Sequence, residues 1–410
     1  MTPRVSTARL GLLASLYISQ GLPFGFFTQA LPVLLRKHGL SLGEIGLSSL
    51  LAIPWALKFA WAPLVDRYSV HRFGRRRSWI VPMQVLTIVV LLLTSLGEPA
   101  HSFRWVLVAV LVVNLLSATQ DIATDGLAVD MLEPHERGLA NGIQVAGYRA
   151  GMIIGGGALL IFFEKIGWTW TFLTMAALVA ATSIPILLST HERNNAGREA
   201  PRAARTSFFR RPYAVRVLLL LAVYKFGDAF AVGMLRPFLA DLGLSIGDVG
   251  WLIGTVGFVA GLLGALAGGA MVTRIGRKRS LVTFATIQAA TVFGYAYVAN
   301  GHAGHALLYG LCAAEHFAGG MATAALFTCM MDWTEPATAA TDYTIQASAV
   351  VIATGAAASL SGFSAQGLGY STHFLLASGL SLAVPPLVGV LFPRVAGSTA
   401  HPLEEVQSCV

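Results

Sequence analysis

Gly39-Leu-Ser-Leu-Gly-Glu-Ile-Gly46 is nearly repeated by Gly243-Leu-Ser-Ile-Gly-Asp-Val-Gly250, with five of eight positions identical and the other three conservative. The copies stand 204 positions apart (243 less 39) in a chain of 410 residues, each between two long apolar runs. Spacing of nearly half the length implies two related halves. In a very hydrophobic chain that arrangement points to a membrane transporter with its substrate path between them.

Composition supports the reading. The chain is 55% hydrophobic and only 12% charged, with 43 glycines, whereas a soluble domain carries about a quarter charged residues. So little polar surface cannot cover a water-facing globule, and several apolar runs reach the roughly 20 residues that cross a bilayer core. A transmembrane β-barrel is excluded, because its strands would be about ten residues long and alternate in polarity. The net charge of +8 does not imply nucleic acid, since the basic residues gather in alternate loops. Cys312, Cys329 and Cys409 have neither disulfide-framework nor metal spacing. No cofactor or metal is expected.

Twelve spans can be drawn, at roughly 10–35, 43–65, 79–96, 105–131, 139–162, 168–189, 214–239, 248–271, 281–299, 305–330, 338–361 and 372–392. With the N-terminus inside, twenty Lys and Arg fall on the cytoplasmic side and four (Arg36, Lys37, Arg104 and Lys165) on the other. That imbalance places both termini in the cytoplasm. The expected organisation is a six-helix bundle over 1–190, a basic cytoplasmic linker over 191–213, a second bundle over 214–392 and a tail over 393–410. No loop has room for a soluble catalytic domain.

The loop after the second span reads Ala62-Pro-Leu-Val-Asp66-Arg67, then Arg72-Phe-Gly74-Arg75-Arg76-Arg77. After the eighth span comes Gly269-Ala-Met-Val-Thr-Arg274-Ile-Gly276-Arg277-Lys278-Arg279. Both resemble the Gly-x-x-x-Asp-Arg-x-Gly-Arg-Arg signature of the major facilitator superfamily. That resemblance implies a cytoplasmic gate, with an acid at a helix end latching the halves in one conformation. The second copy carries Thr273 where the acid belongs, so a latch would sit in the first half. Simple topological anchoring explains the arginines but not the two spaced glycines.

Further motifs narrow the resemblance: Trp61-Ala-Pro-Leu-Val-Asp-Arg-Tyr68, Ala118-Thr-Gln-Asp-Ile-Ala-Thr-Asp125, Gly147-Tyr-Arg-Ala-Gly151, Tyr224-Lys-Phe-Gly-Asp-Ala-Phe230, Pro237-Phe-Leu-Ala-Asp-Leu-Gly243 and Glu315-His-Phe-Ala-Gly-Gly-Met321. They are similar to the branch of muropeptide permeases (AmpG) and acetyl-CoA transporters. Within it, a compact twelve-span chain most resembles the RhtX/FptX-type siderophore permeases. That resemblance implies import of a siderophore such as ferric pyochelin, with or without iron, across the bacterial inner membrane.

Ionisable residues inside a membrane are expensive, at least about 2.5–3.5 kcal/mol each. Asn114, Ser117, Asp121 and Asp125 form one stripe on the fourth span. Arg149 on the fifth lies at a similar depth, so an Asp121–Arg149 or Asp125–Arg149 pair is expected, either structural or proton-coupled. Lys225 and Asp228 can pair along one helix. Glu315 is a candidate proton carrier beside His316; as neighbours they point differently, so at most one should face a cavity. Lys58 is read as snorkelling. Tyr17, Gln20 and Tyr224 are weaker candidates for the cavity wall. Glycines at four-residue spacing (Gly147/Gly151/Gly155, Gly250/Gly254, Gly257/Gly261, Gly264/Gly268) suit helix packing. No phosphate-binding loop is present.

The sequence therefore reads as an all-α major facilitator fold: a monomeric, proton-driven importer of a siderophore. The alternatives are a muropeptide or cell-wall metabolite permease and, from another class, a non-transporting receptor or membrane enzyme.

Overall fold

A computed structural model describes residues 6–31, 49–70, 73–97, 103–189, 208–301 and 304–393. The first copy of the repeat (39–46), Arg36, Lys37 and Arg72, most of the expected linker (191–207) and the tail beyond 393 lie outside the described residues.

Among the described residues twelve helical segments follow one another. In the first half they are α1 (Thr7–Ala30), α2 (49–67), α3 (Arg77–Ser95), α4 (Phe103–Met131), α5 (137–166) and α6 (168–188). The second half holds α7 (Ala214–Asp241), α8 (246–275), α9 (Arg277–Ala299), α10 (His305–Asp332), α11 (339–368) and α12 (370–391). Gly167 (φ 73°) and Gly369 (φ 76°) make the turns between α5 and α6 and between α11 and α12. A left-handed backbone there is open to glycine without strain. No strand occurs among the described residues.

Polarity is inverted relative to a water-soluble protein. Leu96, Ile161 and Val390 are 80%, 74% and 76% exposed, while Gln84, Asn114 and Gln288 are buried. Lipid takes the apolar rim, and polar groups turn inward where protein can satisfy them. Eight segments are apolar and long enough to cross a membrane on those grounds alone, one of them (Pro336–Leu391) comprising two crossings. Three others, α2, α5 and α10, fall short. All three pack against the opposite bundle, so protein shields their polar residues from lipid.

Corresponding helices make corresponding contacts. The α1 helix packs on α5 and α6, as α7 packs on α11 and α12, and α3 lies beside α4 as α9 lies beside α10. The two bundles meet along a seam where α5 crosses α8, and where α2 and α4 meet α11. At the α5–α8 crossing a Cβ on Gly138 would strike the Gly269 carbonyl, and one on Gly142 the Ala265 carbonyl. Wider π-helical turns at Phe26–Ala30, Ile153–Ala158 and Gly250–Gly257 interrupt α1, α5 and α8. Such turns interrupt regular i→i+4 bonding and are frequent at functional sites.

Of the glycine pairs, Gly147, Gly151 and Gly155 do seat α5 on the α1 backbone, and Gly264 and Gly268 seat α8 on α10. Gly250 and Gly254 have open space beside them and are not packing positions.

Candidate functional site

Ionisable groups concentrate in two layers of the seam, one at the end that carries the Gly-Arg loops and one midway along the helices.

At the loop end, Asp66 terminates α2 and accepts hydrogen bonds from Arg75 Nη2 (2.9 Å) and Arg76 Nη1 (2.8 Å). It also accepts from the backbone N–H (2.8 Å) and hydroxyl (2.6 Å) of Thr341, in the first turn of α11. A carboxylate of one bundle thus caps a helix of the other, where free amides and the helix dipole favour negative charge. Arg75 also donates to the Ala337 carbonyl across the seam. Gly74 has φ 95° and Gly276 φ 83°, which turn the chain back into α3 and α9. Arg67 and Arg274 are exposed; Arg67 lies over the Tyr68 ring.

The second half does have an acid, but not at Thr273. Asp332, at the end of α10, accepts from Arg277 Nε (2.7 Å) and from Arg137 Nη1 of the first bundle (2.8 Å). Arg277 also reaches the Pro134 carbonyl. In the first half Asp130, which stands as far before Asp332 as Gly74 does before Gly276, is likewise paired with a loop arginine, Arg76 Nε to Asp130 Oδ2 (2.8 Å). Acid–arginine and acid–amide contacts thus cross the seam in both halves, where the motif alone pointed to the first. Sequence reading missed Asp130 and Asp332, although each stands at the end of a span facing a basic loop. It also missed Arg211, which is buried before α7 and pairs with Asp342 of α11 (2.6 Å). Burial opposes the Arg211 charge, but Asp342 and Glu335 together more than offset it and raise its hold on the proton.

In the middle layer the expected Asp–Arg149 pair does not form. Asp121 pairs with Lys58 of α2, so Lys58 does not snorkel. Lys58 is only 3% exposed. Asp125 instead accepts from Tyr17 Oη (2.8 Å) and Gln144 Nε2 (3.2 Å), which ties α1 and α5 to α4. Gln20 is buried one turn further along α1, and neither amide atom has a hydrogen-bond partner among the described residues.

The second bundle holds Lys225–Asp228 (2.6 Å), the self-pairing along one helix that spacing allowed. Tyr224 is not a cavity residue. It is buried and donates to the Leu281 carbonyl (3.2 Å), joining α7 to α9. On α10 the two neighbours do meet: His316 Nδ1 lies 2.6 Å from Glu315 Oε2. The same nitrogen is aligned on the Cys312 carbonyl (3.0 Å), so the Glu315 contact is electrostatic rather than a well-directed hydrogen bond. Glu315 is buried and His316 half-buried against Gly257.

Arg149 projects from α5 towards the second bundle. It lies over Phe258 of α8 (5.9 Å), in the space left by Gly261, with Glu315 and Asp228 within electrostatic range. Beside it, Phe24, Trp55 and Tyr148 bring α1, α2 and α5 together, with ring centroids 5.3–6.4 Å apart. Trp55 Nε1 donates to Asn114 Oδ1 (3.1 Å), and Lys58 lies 5.7 Å from the Trp55 ring. All three rings are half-buried. An apolar cavity lined by Pro23, Phe27, Leu91, Val110 and Phe172 belongs to the interior of the first bundle rather than to the seam.

Among the described residues no group of His, Cys, Asp and Glu has the geometry of a metal site. The arrangement suits binding and release between two moving bodies.

Comparison with known proteins agrees. Residues 9–173 match the family model "Acetyl-coenzyme A transporter 1", and residues 217–407 match "Major Facilitator Superfamily". The chain is 32% identical to the anhydromuropeptide permease of Escherichia coli K12, over 94% of its own length and 80% of that protein. It is 26% identical to the putative transporter AmpG 4 of Rickettsia conorii, over 94% and 96%. Among solved structures it superposes on the human organic anion transporter MFSD10 (TM-score 0.71, 15% identity, 94% and 100% covered). It likewise superposes on the Escherichia coli fucose:proton symporter FucP (TM-score 0.70, 14% identity, 95% and 99% covered). None of these relatives is a siderophore permease, and the expected RhtX/FptX resemblance draws no support from them. The chain is a multi-pass membrane transporter and not an enzyme. It belongs to the AmpG and acetyl-CoA transporter-like family of the major facilitator superfamily.

Proposed function

We propose that this chain is a proton-gradient-driven permease of the bacterial inner membrane for muropeptides or related cell-wall metabolites, acting as a monomer with both termini in the cytoplasm. Full-length similarity to an anhydromuropeptide permease supports the substrate class. The site's own chemistry is compatible with it. Phe24, Trp55 and Tyr148 offer ring faces for the apolar side of a sugar, and Asn114, Gln20 and the charged groups offer polar contacts for its hydroxyls and amides.

The observation that carries proton coupling is Asp125. Lys58 is paired with Asp121, so Asp125 is the acid whose hydrogen-bond partners, Tyr17 and Gln144, are both neutral. A buried carboxylate without a directly bonded cation is the one most readily neutralised by a proton. One charge crossing 100 mV releases about 2.3 kcal/mol, enough to bias uptake.

The test is purified protein in liposomes, with labelled anhydromuropeptide and ferric pyochelin compared under an imposed pH gradient. Muropeptide accumulation that a protonophore abolishes is expected. Accumulation of ferric pyochelin alone would reinstate the siderophore reading. Asp125→Asn should lose gradient-driven accumulation and keep exchange of substrate for substrate, read as counterflow.

A further inference from the structure

We infer that Arg149 is the anchor for a carboxylate group of the transported molecule, a subsite assignment that rests on the proposed permease reading. Four basic side chains of the described residues stand in the middle layer, and three have an acid of their own bundle within ion-pair distance: Lys58 with Asp121, Lys225 with Asp228, and His316 with Glu315. The Arg149 guanidinium differs. Among the described residues it makes no hydrogen bond or ion pair; its contacts are the Phe258 ring and the longer-range fields of Glu315 and Asp228.

A guanidinium held in a membrane without a bonded anion is costly, and here the surrounding structure preserves rather than relieves that state. Arg149 is half-buried, reaching from the first bundle across the seam. Gly261 of α8 supplies the room, since a Cβ there would overlap Nη1. Phe258 supports the planar group on one side, as an aromatic face does for a cation. The two acids that could neutralise it are engaged by Lys225 and His316.

Charge counting gives the ligand class. With the three pairs balanced internally and Asp125 held within the first bundle by Tyr17 and Gln144, the charge of Arg149 is the one left facing the second bundle. A monoanion completes it, whereas a doubly charged phosphate would leave excess negative charge beside Glu315 and Asp228. Guanidinium and carboxylate match in plane and spacing, with two parallel N–H···O bonds. Because Arg149 belongs to one bundle and Phe258 to the other, a carboxylate bound there touches both moving bodies.

The assignment predicts a preference that depends on one side chain. Uptake into liposomes is measured for an anhydromuropeptide with free peptide carboxylates and for its fully amidated counterpart. Wild type should prefer the free acid by about tenfold or more, the effect of roughly one charge-assisted contact. Arg149→Gln should bring the ratio close to one, chiefly by raising KM for the acid. Arg149→Lys, which keeps the charge but not the fork, should retain a reduced preference and covers the case in which the glutamine variant fails to fold. Equal uptake of both forms by wild type, or an undiminished preference in both variants, overturns the assignment of Arg149 alone. Loss of amidated-substrate uptake in folded Arg149→Gln also overturns it, in favour of a role in the conformational cycle. Uptake of neither form by wild type overturns the permease reading, and the assignment with it.

Discussion

Lys58 carries the lesson at the scale of a residue. A lysine near a span end is read as snorkelling, because its long stem can lift the ammonium to water. Here the stem runs inward and meets Asp121 of α4. Removing one member of a buried pair strands the other at a cost of about 3–5 kcal/mol, while replacing both by neutral groups is tolerated far better. Lys58→Gln should therefore lower the thermal unfolding midpoint in detergent substantially, and Lys58→Gln with Asp121→Asn should recover most of it. Equal destabilisation in the double variant would mean that the loss does not come from stranding Asp121. The stripe of Asn114, Ser117, Asp121 and Asp125 was legible from 3.6-residue periodicity, because spacing within one helix fixes which residues share a face. Partners were not. Whether Asp121 meets Lys58 or Arg149 depends on the rotation of α2 and α5 about their axes, and residues distant in sequence decide that.

At the scale of an element, the α5–α8 crossing sets how closely the bundles approach. Gly138, Gly142 and Gly269 put backbone against backbone there. Gly269→Leu should hold the crossing apart, whereas Gly254→Ala, in open space on the same helix, should behave as wild type. Crosslinking of cysteines placed at 139 and 270 measures the difference: efficient in wild type and Gly254→Ala, strongly reduced in Gly269→Leu. Helix positions were well marked in the sequence by apolar length and by Gly167 and Gly369 at the tight turns. The breaks within helices were not. The π turns in α5 and α8 occur within apolar, glycine-rich runs that read as ordinary helix.

At the scale of the whole molecule, the bundles are joined at the loop end of the seam by Asp66 on α11 and by Asp332 between Arg137 and Arg277, and we expect these contacts to act as latches. Asp66→Asn with Asp332→Asn should shift the population towards a state open at that end. Spin labels on residues 134 and 334 report it as a longer, broader distance distribution in the double variant, with each single variant intermediate. An unchanged distribution would mean that helix packing alone closes the seam. The first latch was legible from the Gly74-Arg75-Arg76 and Asp66 signature. The second was hidden because its acid comes from the end of α10, fifty-odd residues beyond the loop that the motif defines.

The way Asp66 sits on α11 also limits how firmly this end can hold. The amides of Ala340 and Thr341 that it covers belong to the first turn of α11, and solvent admitted as the bundles part can take over as their acceptor once the carboxylate withdraws. Exchange of a protein partner for a water partner leaves a net difference of only about 0.5–1.5 kcal/mol per neutral hydrogen bond, and about 1.5–3 when one member is charged. Separation at this end is thus nearly balanced from the outset. Small energies at the centre of the molecule, such as the docking of one cargo molecule or the arrival of one proton, are of the right size to tip it either way.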